Sequence, residues 1–184
     1  MKKNKLLTCA IIILTIPLLL FIYINITTNI NLYINEKVII TFNKTFSEQT
    51  LEIADNYSNP LPKIEIEGTD YIGVINIVKK NLLLPVESKC SEALLNIKSA
   101  CHYSNDNLII LGTTLKDSFF SYREYNKDDK ITFTNTLGKT YQYKINKIKR
   151  INNLNKLSQY NSDLIIVIKN YYDMEYILLL GNAY

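Results

Sequence analysis

Hydrophobic and polar positions divide the chain into two unlike parts. Leu6 to Ile24 is an uncharged run rich in Ile and Leu, with Pro17 inside it; beyond it, apolar positions come in short bursts between polar clusters. The run is about 19 residues long, close to the ~20 needed to cross a hydrocarbon core as a helix. Lys2, Lys3 and Lys5 precede it. Flanking lysines stay on the cytoplasmic side, so the rest of the chain is expected outside. A cleaved signal peptide wants a shorter apolar core and a small-residue cleavage site. Asn25-Ile-Thr-Thr-Asn29 offers no such site, which favours an uncleaved anchor. Pro17 is tolerable in a membrane helix.

The later bursts predict a β-rich domain. Asn25 to Ile40 reads as a stalk or extended segment. Phe46 to Asp55 reads as a helix capped by Ser47. Lys63-Ile-Glu-Ile-Glu67 alternates polar and apolar with the period of a half-buried strand. Tyr71–Ile77 and Leu82–Val86 are strands about a turn at Lys79-Lys80-Asn81, and Asn107–Leu111 is a continuous apolar strand. Leu115 to Tyr125 is amphipathic and reads as a short helix. Lys130–Thr134 and Thr140–Lys149 form a hairpin about Thr136-Leu-Gly-Lys139. After a loop at Ser158–Ser162, Asp163–Lys169 and Glu175–Leu180 form a last pair of strands. Many short strands with turn signals imply an all-β barrel or sandwich.

Composition adds limits. About 150 residues follow the apolar run, enough for one domain with its own core. The net charge is +4. There is no basic run interleaved with aromatics, so nucleic acid is not an expected partner. With five Gly and four Pro there is no flexible linker. The three cysteines define no framework. Cys9 lies in the apolar run; Cys90 and Cys101 flank Ser91–Ala100, which reads as a helix with Ser91 as N-cap. An unbroken helix would hold the two about 16 Å apart, beyond the ~7 Å a disulfide spans. Free thiols are therefore expected, a disulfide requiring the helix to break. One His and two Cys at this spacing match no metal site, and no cofactor is expected.

Five segments stand in order: Tyr71-Ile-Gly-Val-Ile-Asn-Ile-Val-Lys-Lys-Asn-Leu-Leu-Leu-Pro-Val86, His102-Tyr103, Asn107-Leu-Ile-Ile-Leu-Gly-Thr113, Asn126-Lys-Asp-Asp-Lys-Ile131, and Asp163–Lys169 followed by Glu175–Leu180. Taken together they resemble the sortase family. The fourth is similar to the family's L-x-x-G-D-x-I turn, with Asp128 where the family has Gly. The resemblance spans roughly residues 60 to 180. It implies an eight-stranded β-barrel with short helices, here preceded by one transmembrane helix. The division that follows is a cytoplasmic tail at 1–5, an anchor at 6–24, a stalk and N-terminal segment at 25–59, and a barrel at 60–184.

Sortases are membrane-anchored cysteine transpeptidases of the Gram-positive surface, acting on sorting signals similar to L-P-x-T-G. The resemblance places Thr113 at the family's catalytic histidine, Lys169 at its cysteine and Glu175 at its arginine. A threonine does not titrate near neutral pH, an amine forms no thioacyl intermediate, and a carboxylate repels a developing oxyanion. No Cys or Arg follows Arg150 to make good the loss. Cys101 and His102 are the remaining thiol and base. As neighbours in sequence they point to different sides of a strand, and His102 reads better as a packing residue. The Asp128-Asp129 pair reads as a solvated turn. Lys169 and Glu175 are expected to approach across the 170–174 connection as an ion pair, with two separate solvated charges as the alternative.

The expectation is thus a surface-exposed pseudoenzyme. It would bind a sorting-signal-like peptide, a pilus or surface protein, or an active sortase. The competing readings are a divergent active sortase with relocated catalytic groups and a purely structural envelope component.

Overall fold

The computed structural model describes residues 2–47, 52–53, 60–90, 100–103, 107–113, 125–170 and 175–184, and within the long N-terminal helix the side chains of 13–26, 29–30 and 32–46. The expected helices at 91–100 and 115–125 lie outside these residues save for their last members.

Helix α1 runs from Lys2 to Ser47 without a break. Asn25–Ile40, expected as extended, is therefore helical, and Ser47 ends a helix instead of opening one. Two features explain this. Polar residues inside the helix satisfy themselves on the preceding turn: Asn25 Nδ2 donates to the Phe21 carbonyl at 2.8 Å, Thr41 Oγ1 to that of Lys37 at 2.9 Å, and Thr45 Oγ1 to that of Thr41 at 3.0 Å. Ile34, Val38, Phe42 and Phe46 also recur every fourth residue, forming one apolar stripe. That stripe packs on Ile64, Ile66, Tyr71, Val74 and Leu83 of the sheet, and Val38 and Phe42 are fully buried. Glu67 bonds Lys37 beside this contact, which raises the lysine's pKa through the hydrogen bond and the carboxylate charge.

Ten strands follow: β1 (Glu52–Ile53), β2 (Ile64–Ile66), β3 (Thr69–Ile77), β4 (Leu82–Glu87), β5 (Ala100–His102), β6 (Leu108–Thr113), β7 (Lys130–Asn135), β8 (Lys139–Ile151), β9 (Leu164–Asn170) and β10 (Glu175–Ala183). Neighbours run β3-β7-β8-β10-β9-β6-β5-β4 and return to β3, which closes a ring of eight; β1 and β2 are added at its rim, on β8 and β3. Closure removes the exposed edges an open sheet would carry.

Alternation along the strands builds two cores. Ile75, Ile77, Leu108, Ile110, Phe133, Tyr143, Ile166, Ile168, Ile177 and Leu179 fill the barrel. Cys101, Ile109, Leu111, Ile165, Val167, Leu178 and Leu180 face outward into a second core, closed by Leu157 on the 3-10 helix Leu154–Gln159. Strands β6 and β9 are buried on both faces, which is why they read as continuous apolar runs.

The turns follow their residues. Glu67 and Gly68 both have positive φ, 52° and 73°, as a two-residue hairpin between β2 and β3 requires. Asn135 Oδ1 accepts from the Leu137 and Lys139 amides at 3.0 Å each, fixing the β7–β8 turn. A Cβ on Gly73 would lie 2.1 Å from the Thr134 carbonyl oxygen, so the β3–β7 contact admits only glycine there.

The cysteine expectation is overturned. Cys90 and Cys101 form a disulfide with their α-carbons 5.2 Å apart. Cys101 lies on β5, where it pairs in parallel with Glu87 of β4, so the chain leaving β4 returns beside it. Sequence spacing assumed one straight helix between the two cysteines; the sheet pairing brings the ends of that segment together.

Among the described residues no helix is long and apolar enough to cross a membrane. The side chains of 2–12, which include the first part of the Leu6–Ile24 run, are not among them.

Candidate functional site

Strands β6 and β9 run parallel and in register, Leu108 beside Leu164 through to Thr113 beside Lys169. Thr113 and Lys169 thus sit together at the carboxyl ends of these two strands. Thr113 is fully buried and Lys169 half-buried. In the antiparallel β9–β10 pair, Tyr176 lies opposite Lys169 and Glu175 opposite Asn170. Opposed residues share a face, and successive residues alternate. Thr113, Lys169 and Tyr176 therefore belong to the face of the second core. Asn170 and Glu175 belong to the barrel-interior face.

Glu175 does not converge with Thr113 and Lys169. Lys169 and Glu175 lie on opposite faces of the sheet, so the expected ion pair between them is not formed. Glu175 instead faces Arg150 of β8, with Oε2 3.6 Å from the guanidinium. Arg150 stands opposite Ile177 in the β8–β10 ladder, one place along from Glu175 on the same face. Sequence reading missed this partner. The ladder shifts register between Leu180 and Gly181, and spacing along β8 gives no sign of that shift.

Cys101 and His102 also separate. Cys101 pairs with Leu111 on the second-core face and is consumed by the disulfide. His102 pairs with Ile110 on the barrel side. Burial lowers the pKa of its imidazole, partly opposed by a backbone hydrogen bond at Asn107, while Lys63 lowers it further. Ile110 is three residues from Thr113, so His102 stands roughly 10 Å along the strand from the Thr113–Lys169 pair. It is a buried packing residue, not a base beside that pair. Among the described residues no group of three His, Cys, Asp or Glu side chains is placed to hold a metal ion.

Asp128 accounts for itself. Its φ is +71°, the left-handed conformation that glycine adopts most readily and that Asp tolerates. It sits where the resembling turn has Gly, and its amide donates to the Ile145 carbonyl at 2.7 Å. The adjacent carboxylate is structural: Asp129 Oδ2 accepts from the Asn126 amide at 2.8 Å, and Oδ1 lies 3.3 Å from Lys79 Nζ.

No family model matches the chain, and no curated protein matches it significantly. Solved structures do. Sortase D5 of Clostridium perfringens, described as a transpeptidase, superposes with a TM-score of 0.58 at 17% identity, over 85% of this chain and 99% of that one. Sortase C1 of Streptococcus agalactiae gives 0.54 at 22%, over 65% and 70%. Sortase A of Listeria monocytogenes gives 0.53 at 19%, over 62% and 87%. The fold is sortase-like. Thr113, Lys169 and Tyr176 bring a hydroxyl, an amine and a phenol together at these strand ends, while Glu175, expected with them, faces the other side of the sheet.

Proposed function

We propose that this protein is a membrane-anchored, extracytoplasmic sortase-like domain without transpeptidase activity, which binds a peptide or protein partner at the cell surface non-covalently. The observation that carries the reading is the Cys90–Cys101 disulfide. It occupies both cysteines of the barrel domain, leaving Cys9 in the apolar run as the remaining thiol of three. A cysteine transpeptidase needs a thiolate at its strand ends, and here Thr113 and Lys169 stand there. The disulfide also suits an oxidising compartment outside the cytoplasm. The apolar surface of α1 supports the anchor: Ile13, Leu14, Leu18, Leu19, Leu20, Phe21 and Ile24 are all exposed, around the whole helix. A helix apolar on every side belongs in a core or a membrane.

The test uses the full chain in detergent with a fluorogenic L-P-x-T-G-type peptide and an amine acceptor. We expect no cleavage and no transfer, with or without reductant, while the peptide or a surface protein bearing it still binds. Turnover that vanishes in Cys101→Ala would establish the divergent enzyme instead. For orientation, protease added to intact protoplasts should digest the barrel. Full protection would reverse the topology.

A further inference from the structure

Strand β8 and its neighbour β7 gather four lysines that the sequence scatters over twenty residues. Lys130 and Lys144 are directly opposed in the β7–β8 ladder, a like-charge pair that disfavours the sheet. Lys144, Lys147 and Lys149 pair with Asn182, Leu180 and Leu178 of β10 in turn. Leu178 and Leu180 point to the second-core side, so these lysines line one outer face in file. The bulge between Leu180 and Gly181, where Asn146 of β8 is the extra residue, keeps Lys147 on that face despite its odd spacing from Lys144.

None of the four has a carboxylate within ion-pair distance among the described residues. Three of them, Lys130, Lys144 and Lys149, lie against aromatic rings. The Tyr184 ring lies 4.4 Å from Lys144 Nζ and 5.7 Å from Lys130 Nζ, and the Tyr160 ring lies 4.7 Å from Lys149 Nζ. Nearby carboxylates are engaged elsewhere, Asp163 with the Ala183 amide at 2.8 Å and Glu175 with Arg150. The rings hold the ammonium groups in place without neutralising them. Side chains two apart on one face of a strand are about 6.6–6.8 Å apart along it. The result is a file of three positive charges along β8 at near-regular spacing, with Lys130 of β7 beside the first of them.

From this arrangement we infer a docking ridge for a linear polyanion of the phosphodiester class, one negative charge per repeat, laid along β8. A single small anion would engage only one or two of the four charges. A repeating polymer matches the file and also relieves the Lys130–Lys144 repulsion. Binding is electrostatic and driven by counterion release. The ridge lies on a different strand pair from the Thr113–Lys169 site, so it stands or falls independently of the proposed loss of catalysis.

The test is binding of poly(glycerol phosphate) to the full chain in neutral nanodiscs, measured against salt. With four phosphates neutralised, the log–log slope should be about −3, an affinity loss of about 50-fold between 50 and 200 mM salt. Lys144→Gln/Lys147→Gln should weaken binding at least tenfold and bring the slope to about −1.5. Lys63→Gln/Lys89→Gln, the same charge change away from the ridge, should leave both unchanged. Equal losses in the two variants would overturn the ridge in favour of net charge alone. Tighter binding of a single-stranded oligonucleotide of equal charge would assign it to nucleic acid. Loss of polymer binding in anionic nanodiscs would assign it to the membrane surface.

Discussion

Opening the Cys90–Cys101 bond is the sharpest perturbation of this fold, because it bears on both stability and chemistry. The two cysteines are separated by 11 residues. Closing a loop of about 12 residues removes roughly 9.5 cal/mol/K from the unfolded chain, about 3 kcal/mol at 25 °C. In a domain of this size about 3 kcal/mol corresponds to a Tm lower by about 6–12 °C. Cys90→Ser is the better variant, because Cys90 is only partly buried, whereas Cys101 is 3% exposed within the second core and its loss would add a packing defect. The assay is thermal unfolding of the full chain in detergent, with and without reductant. Wild type should fall by the stated amount on reduction, to meet Cys90→Ser, and the variant should not respond to reductant. Thiol titration of the unfolded, unreduced chain should find one thiol, Cys9, of the three cysteines. Three titrating thiols would refute the bond. Coincident melting of reduced and oxidised wild type, once titration shows the bond open, would refute the loop-closure reasoning.

Three other outcomes follow. Phe42→Ala empties a fully buried position between α1 and the sheet and should cost about 3–5 kcal/mol; hydrogen exchange should then show residues 34–46 of α1 opening before the barrel. Asp128→Gly relieves a left-handed residue and should stabilise by about 1 kcal/mol, provided the Asp128 amide keeps its bond to Ile145, read from the denaturant midpoint. Burial holds the His102 pKa below its ordinary 6.5, so below that pH the unfolded chain takes up a proton that the folded chain does not. Stability should therefore be fully present above about pH 6.5 and decline as pH falls through the window beneath it, and His102→Gln should flatten that part of the curve.

The all-β character was legible because the strands carry their own signal, whereas the closed barrel of eight was implied only by the sortase resemblance. The alternation of Lys63–Glu67, the unbroken apolar runs at 108–111 and 164–168, and the turn residues at 79–81 and 136–139 each follow from local chemistry: side chains on a pleated strand alternate, and Asn and Gly tolerate positive φ. Thr113 and Lys169 meet because β6 and β9 pair parallel and in register, which the pattern of either segment does not disclose. What the sequence did not disclose depends on partners. Residues 25–47 look unremarkable until the stripe Ile34, Val38, Phe42 and Phe46 finds Tyr71 and Val74 to bury it, and that burial keeps the helix whole. Cys90 and Cys101 are far apart by helical arithmetic and adjacent once β4 and β5 pair. Glu175 turns away from Lys169 because hairpin register sets which side chains share a face, and a bulge at Gly181 sets Arg150 beside it. Lys130 of β7 and Lys144, Lys147 and Lys149 of β8 are separate in sequence and continuous on one surface. Local preference fixes what each segment becomes; which residues meet is decided by register and closure, where one residue of slip moves every side chain to the other face.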